Sequence, residues 1–145
     1  MTIRIGNAPC SWGIEFPSDP SYPSWQSVLS DCAAAGYKGI ELGPIGFMPE
    51  DPAILADALS AEGLELIGGV VFRAFHDPAM WDNVMDGAVR TCKSLVAHGA
   101  KHLVLIDPVI MSPQRYAQFQ TYSGHLRAQD HPVSRRKNQW RDAQE

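Results

Sequence analysis

The chain of 145 residues is long enough for one domain with a hydrophobic core, since 45% of its residues are hydrophobic and 19% are charged. Its net charge of −4 predicts neither a nucleic-acid partner nor a membrane partner, and no apolar run reaches the roughly 18 residues of a transmembrane helix. The opening MTIRIGNAPC lacks the features of a signal peptide, and three cysteines without a CxxC pair are typical of reduced thiols, so we expect a cytoplasmic protein.

Along the chain, short β-rich runs alternate with helical periods. The strands are predicted at residues 3–7, 38–42, 64–71 and 102–106. The helices are predicted at residues 24–35, 52–62, 78–98 and 113–126. Three glycines, Gly36, Gly63 and Gly99, stand where a helix ends on a left-handed residue. This repetition predicts successive βα units.

The helices carry their own start signals and apolar faces. Ser24 and Asp51 are predicted N-caps, and an Asp-Pro pair opens both the second and the third helix. The buried stripe of the second helix is predicted to be Ile54, Leu55, Ala58 and Leu59. The stripe of the third helix is predicted to be Trp81, Val84, Met85, Ala88, Cys92, Leu95 and Val96.

The third and fourth strands, within LELIGGVVF and HLVLI, are nearly continuous apolar runs. Such runs are typical of parallel strands that are covered on both faces. The alternating order therefore predicts an α/β fold with parallel strands in the order 1-2-3-4 and right-handed crossovers.

A carboxylate interrupts the apolar second strand. With a period of two, Ile40 and Leu42 face the helices, and Glu41 faces the opposite side of the sheet near the carboxyl end of its strand. In a barrel of parallel strands that end carries the active site. The competing interpretation is a carboxylate held by a lysine or a backbone amide inside the barrel.

Other polar and aromatic residues follow the neighbouring strands. Cys10 and Trp12 follow the first strand, His76 follows the third and Asp107 ends the fourth, so all are candidates for the same site. For Cys10 the alternative is a small buried thiol, and for His76 it is a loop histidine before a helix. Glu41, His76 and Asp107 could supply three metal ligands, but the sequence lacks a clear cluster for Mg²⁺ or Mn²⁺, so we assign no metal site.

The segments IRIGNAPCSWG, AAAGYKGIELGP, GGVVF and KHLVLID together resemble the sugar phosphate isomerase/epimerase family of xylose isomerase-like TIM barrels. The APCSWG segment is most similar to inosose dehydratase-like members. The resemblance covers about residues 3–107 and implies the N-terminal half of a (β/α)₈ barrel.

The resemblance implies metal-assisted isomerisation or epimerisation of a sugar or polyol, or dehydration of an inosose-like ketone. It places Glu41, Trp12, His76, Cys10 and Asp107 on the substrate side and leaves the catalytic residues unassigned. In the family, Mn or Mg is held by residues of later strands that have no counterpart here, so we expect this chain to bind none. The alternative is a non-catalytic α/β fragment that self-associates through its open sheet edges. A nuclease of the endonuclease IV type is disfavoured, because residues 1–108 carry a net charge of −7.

The final part of the chain differs from the rest. Residues 109–145 carry a net charge of +3, and their end is polar, basic and without apolar period. We therefore expect residues 1–126 to form a partial barrel and residues 127–145 to be a disordered basic tail of a truncated protein.

Overall fold

The computed structural model describes residues 4–108 and 112–128, and the chain divides into two compact units between Asp107 and Pro108. Residue 3 of the first predicted strand and nearly all of the predicted tail at 127–145 lie outside the described residues. The first unit contains every residue that the sequence assigns to the candidate site.

Four strands form one parallel sheet in the order β1-β2-β3-β4. The strands are β1 Gly6–Asn7, β2 Gly39–Glu41, β3 Glu65–Phe72 and β4 Leu103–Ile106. The helices are α1 Trp25–Ala34, α2 Pro52–Glu62, α3 Trp81–Ala97 and, in the second unit, α4 Pro113–Ala128. Short 3₁₀ turns at Pro9–Trp12 and Pro78–Met80 follow β1 and precede α3. This confirms the predicted parallel α/β fold, which matches the N-terminal half of a TIM barrel.

The predicted caps of α1 and α2 and the predicted glycine ends of the first three helices are confirmed, whereas residues 78–80, predicted to begin the third helix, form a 3₁₀ turn before α3. Ser24 caps α1 by accepting from Ser27 N at 3.1 Å, and Asp51 caps α2 by accepting from Ala53 N at 2.9 Å. The glycines that were predicted to end helices all have positive φ angles, namely Gly36 at 88°, Gly63 at 64° and Gly99 at 73°. The chain therefore turns sharply from each helix toward the next strand.

One hydrophobic core lies between the sheet and the helices. Leu29 of α1, Leu55 of α2 and Ile40 of β2 are each at most 1% exposed. Other buried members are Ile14, Val28, Cys32, Leu42, Ile45, Met48, Leu59, Leu64, Leu66 and Leu95. Burial raises the pKa of the Cys32 thiol, which is consistent with a packing role for this cysteine.

The predicted apolar stripes are partly wrong. Ile54 is 52% exposed on α2, and the α3 residues Trp81, Met85, Cys92 and Val96 are also exposed. The buried face of α3 is instead formed by Val84, Gly87, Thr91, Ser94 and Leu95. Small residues occupy this face because α3 approaches β3 closely: a Cβ added at Gly69 would lie 2.8 Å from the Thr91 methyl.

The prediction that both apolar strands are covered on both faces is wrong for β4. Val104, Leu105 and Ile106 are 42%, 58% and 41% exposed. In the part of the chain that the structure describes, β4 is an edge strand, with β3 as its single neighbour in the sheet. None of the described helices combines the length and apolar character that crossing a membrane requires.

Candidate functional site

Glu41 lies at the carboxyl end of β2 on the face of the sheet opposite the helices. Its neighbours Ile40 and Leu42 are buried in the helix-covered core, so the alternation of side chains along a strand places Glu41 on the other face. Its side chain is half-buried, and within the described residues no hydrogen-bond donor or cation contacts its carboxylate. The carboxylate can therefore accept hydrogen bonds from a ligand.

A β-bulge in β3 lies beside Glu41. Glu41 pairs with Gly68 although Ile40 pairs with Leu66, so Ile67 of β3 is the extra residue. The Ile67 side chain lies over Gly39, where an added Cβ would come within 2.4 Å of it. The amino-terminal part of this face is thus filled by an apolar side chain, while the carboxyl end at Glu41 is polar.

The turn after β1 packs against the end of β2. A Cβ added at Gly43, which has a φ of 71°, would lie 2.8 Å from the Pro9 ring. In the same 3₁₀ turn Cys10 is exposed, so the alternative interpretation of a buried thiol is wrong. The Trp12 indole donates from Nε1 to Asp31 Oδ2 of α1 at 3.2 Å and packs against the core. Trp12 therefore anchors the turn to α1.

His76 and Asp107 are in direct contact and join the loops that follow β3 and β4. His76 Nδ1 lies 3.1 and 3.0 Å from the two carboxylate oxygens of Asp107, and the backbone N–H of His76 donates to Oδ2 at 3.3 Å. The side chains are 37% and 21% exposed. Two contacts from one residue to one carboxylate fix the orientation of the imidazole ring.

The loop that carries His76 is held on both sides. Arg73 N donates to Ile106 O of β4 at 3.1 Å, and the Arg73 guanidinium donates to Asn83 Oδ1 at 3.0 Å and to Phe72 O at 2.8 Å. Trp81 Nε1 donates to Phe75 O at 3.1 Å. Arg73 was not among the predicted site residues, and its signal was a cation directly after a buried strand.

The described residues do not form a metal site. No group of three or more His, Cys, Asp or Glu side chains in residues 4–108 and 112–128 is arranged to hold a metal ion. His76 and Asp107 supply two donors, and the structure does not add Glu41 to them as a third ligand.

A separate cavity of about 440 Å³ opens between the β1–α1 loop and the loop after β2. It is lined by Pro17, Ser18, Asp19, Pro20, Tyr22, Pro23, Ser24, Trp25 and Phe47. Hydrogen bonds from Ser21 lower the pKa of Asp19, so the cavity has one ionised carboxylate at its edge at neutral pH. None of the five predicted site residues lines this cavity.

The chain is similar to curated proteins that are named inosose dehydratase. The chain is 37% identical over 68 residues to the inosose dehydratase of Salmonella typhimurium, covering 46% of this chain and 22% of that protein. It is 33% identical over 118 residues to the inosose dehydratase of Bacillus licheniformis, covering 79% and 35%. It is 30% identical over 100 residues to that of Erwinia tasmaniensis, covering 68% and 33%.

The similarity covers only part of the length of each relative. The chain spans between about a fifth and a third of the length of these relatives, 22% to 35%. No protein-family model matches the chain. The comparisons therefore agree with the inosose dehydratase-like part of the sequence resemblance over a portion of the chain, and leave the reaction open.

Proposed function

We propose that this chain forms the substrate-binding half of a TIM-barrel site for a cyclic polyol ketone, as in inosose dehydratases. The observation that carries the proposal is the His76–Asp107 contact, which fixes an imidazole at the carboxyl ends of β3 and β4. Active sites of such barrels lie at this end of the strands. The similarity to inosose dehydratases supplies the class of substrate.

Each residue of the proposed site has a different role in substrate binding. The Glu41 carboxylate accepts hydrogen bonds from ring hydroxyls of the substrate. Asp107 is a positioning residue: it holds Nδ1 of His76, so that in the neutral ring Nε2 is the acceptor nitrogen. In the neutral ring Nε2 of His76 accepts from a substrate hydroxyl, and in the charged ring Nε2–H donates to a hydroxyl or to the carbonyl oxygen. Cys10 and Trp12 shape the neighbouring turn.

Binding of inosose, measured by calorimetry, tests the proposal. We expect Glu41→Gln and His76→Gln to weaken binding roughly tenfold or more, because the first replaces a charged acceptor by a neutral amide and the second removes the imidazole that Asp107 orients. Glu65→Gln and His102→Gln are matched controls, since both residues lie at the amino ends of β3 and β4. Equal affinities for all four variants would contradict the proposed site.

The second candidate is isomerisation or epimerisation of a sugar, which also begins with removal of a proton next to a carbonyl. The two reactions differ in the step after this proton is removed. Dehydration expels a β-hydroxyl as water and leaves a conjugated ketone, whereas isomerisation retains all atoms. Ultraviolet absorbance detects the conjugated ketone that dehydration forms, and chromatography detects conversion of a ketose substrate by isomerisation. Both assays require a polypeptide that completes this half-site.

A further inference from the structure

Most exposed apolar side chains of the first unit lie at the two edges of the sheet or on α3. Of the twelve large apolar side chains that are exposed in the described part, one precedes β1, three lie in β4 and four lie on α3. In order, they are Ile5, Val104, Leu105, Ile106, Trp81, Met85, Val89 and Val96. A distribution of this kind marks an interaction surface.

The four α3 residues face the β4 side of the unit. They recur at spacings of four and seven residues, so they form one stripe of the helix. Arg90 lies on another side of the helix and binds Glu50, which directly precedes α2. The stripe is therefore turned away from α2. We call this stripe and Leu105, which pairs with Val71 in the sheet, the apolar flank.

We propose that two copies of this chain associate through two identical seams, β4 of each against β1 of the other, to close an eight-stranded parallel barrel. The sheet runs β1-β2-β3-β4 with all strands parallel, so placing β1 of a second copy beside β4 continues the same order and polarity. Eight strands are the number at which side chains just fill a closed barrel. A two-fold axis along the barrel makes both seams at once and leaves no edge.

The two mixed seams suit these edges better than the pairing of like edges does. Pairing β4 with β4 of another copy would leave both β1 edges and Ile5 bare, whereas the two mixed seams cover every edge. At about half exposure, the eight side chains offer on the order of 400 Å² of apolar surface per copy. That is close to the apolar share of the roughly 800 Å² that each partner buries in a standard interface.

The closed barrel also completes the ring of loops around the candidate site. Each copy contributes Glu41 and the His76–Asp107 pair at the carboxyl ends of its strands, and all eight strands point the same way. The association depends only on the edges and apolar flank, so it stands or falls independently of the proposed substrate.

Sedimentation velocity and light scattering over a range of concentrations test the proposal. We expect a species of twice the chain mass of 15.9 kDa. Higher salt should favour it, because two copies of net charge −4 repel each other while the apolar seams are insensitive to screening. A monomer at all concentrations, or open polymers larger than a dimer, would overturn the inference.

Variants at the two edges identify the seams. Ile5→Lys and Leu105→Lys should each give folded monomers by circular dichroism, because a lysine at a strand edge opposes pairing. Ile54→Lys, at a 52% exposed position on α2, is the control and should remain dimeric. Mixing the two edge variants should restore a dimer, since one seam then has both edges native. If Ile5→Lys alone still dimerises, β4 pairs with β4 and the proposed closure is wrong.

Discussion

At the scale of single residues, the clearest electrostatic contact joins Glu50, before α2, to Arg90 of α3. Arg90 Nε donates to Glu50 Oε2 at 2.9 Å and Nη2 donates to Oε1, which makes a two-pronged contact across forty positions of sequence. These hydrogen bonds hold the pKa of Glu50 below its ordinary value. Both side chains are more than 40% exposed, so solvent screens much of the interaction.

The pH dependence of stability follows from the sign of this shift. Because the folded chain binds a proton at Glu50 less readily than the unfolded chain, the pair stabilises the fold above the unfolded pKa of about 4.3, and this contribution is lost as the pH falls through the folded pKa. Glu50→Gln should lower the free energy of unfolding by less than about 1 kcal/mol at pH 7. The difference from wild type should shrink toward pH 3 in urea denaturation.

Thr91 is a residue at which the native sequence is not optimal for stability. It is fully buried against β3, and its hydroxyl has no hydrogen-bond partner among the described residues. Thr91→Val keeps the shape and removes the unsatisfied group, so it should raise the free energy of unfolding by about 1 kcal/mol. Thr91→Ser keeps the hydroxyl and loses a packed methyl, so it should lower it. A less stable valine variant in thermal unfolding would mean that the hydroxyl is bonded.

At the scale of elements, the contact between α3 and β3 depends on Gly69. A Cβ there would lie 2.8 Å from Thr91 Cγ2 and 3.3 Å from Leu95 Cδ2, so Gly69→Ala should cost about 1–3 kcal/mol by forcing the helix from the strand. Combining it with Thr91→Ser, which removes the nearer methyl, should cost less than the two changes added. Gly87→Ala is the control: its Cβ would meet Val71 at an ordinary 4.0 Å, so it should stabilise α3.

This contact also explains which elements the sequence could predict. Helix ends depend on local signals such as Asp51 and Gly63, and the structure confirms that these two residues cap α2. The orientation of α3 depends on how closely it approaches β3, which Gly69 allows through contacts that are remote in sequence. Hydrophobicity alone therefore selected Met85 and Val96 in place of the small residues that are buried.

The candidate site could likewise be predicted where it depends on strand pattern and strand order, and not where it depends on contacts between remote residues. Strand alternation was enough to place Glu41 opposite the core, since Ile40 and Leu42 on either side are buried. Parallel order predicted that the ends of β3 and β4 are neighbours, and His76 does reach Asp107. No pattern in the sequence indicated that the Trp12 indole would bond to Asp31, because that contact depends on how the turn folds back over α1.

At the scale of the whole molecule, the core is unevenly distributed across the first unit. Its buried members come mainly from α1, α2 and the chain between β2 and α2, while α3 contributes Leu95 and β4 contributes the partly buried Leu103. Opening the β4 end of the sheet therefore breaks fewer apolar contacts than opening the centre. Local unfolding is expected to begin at β4, because its free-energy cost depends on the buried contacts that are lost.

Hydrogen exchange measured by mass spectrometry, in solutions dilute enough to dissociate any dimer, tests this gradient. Amides of 103–106 should exchange faster than those of 65–68, and Val104→Ala should change exchange only near β4. Leu55→Ala, which opens a cavity in the centre of the core, should speed exchange in every element that contributes to the core. Raising the protein concentration should slow exchange in β4 and in β1, since these two edges then pair with a second copy. Equal protection of β3 and β4 in dilute solution would show that the first unit opens as a single cooperative block.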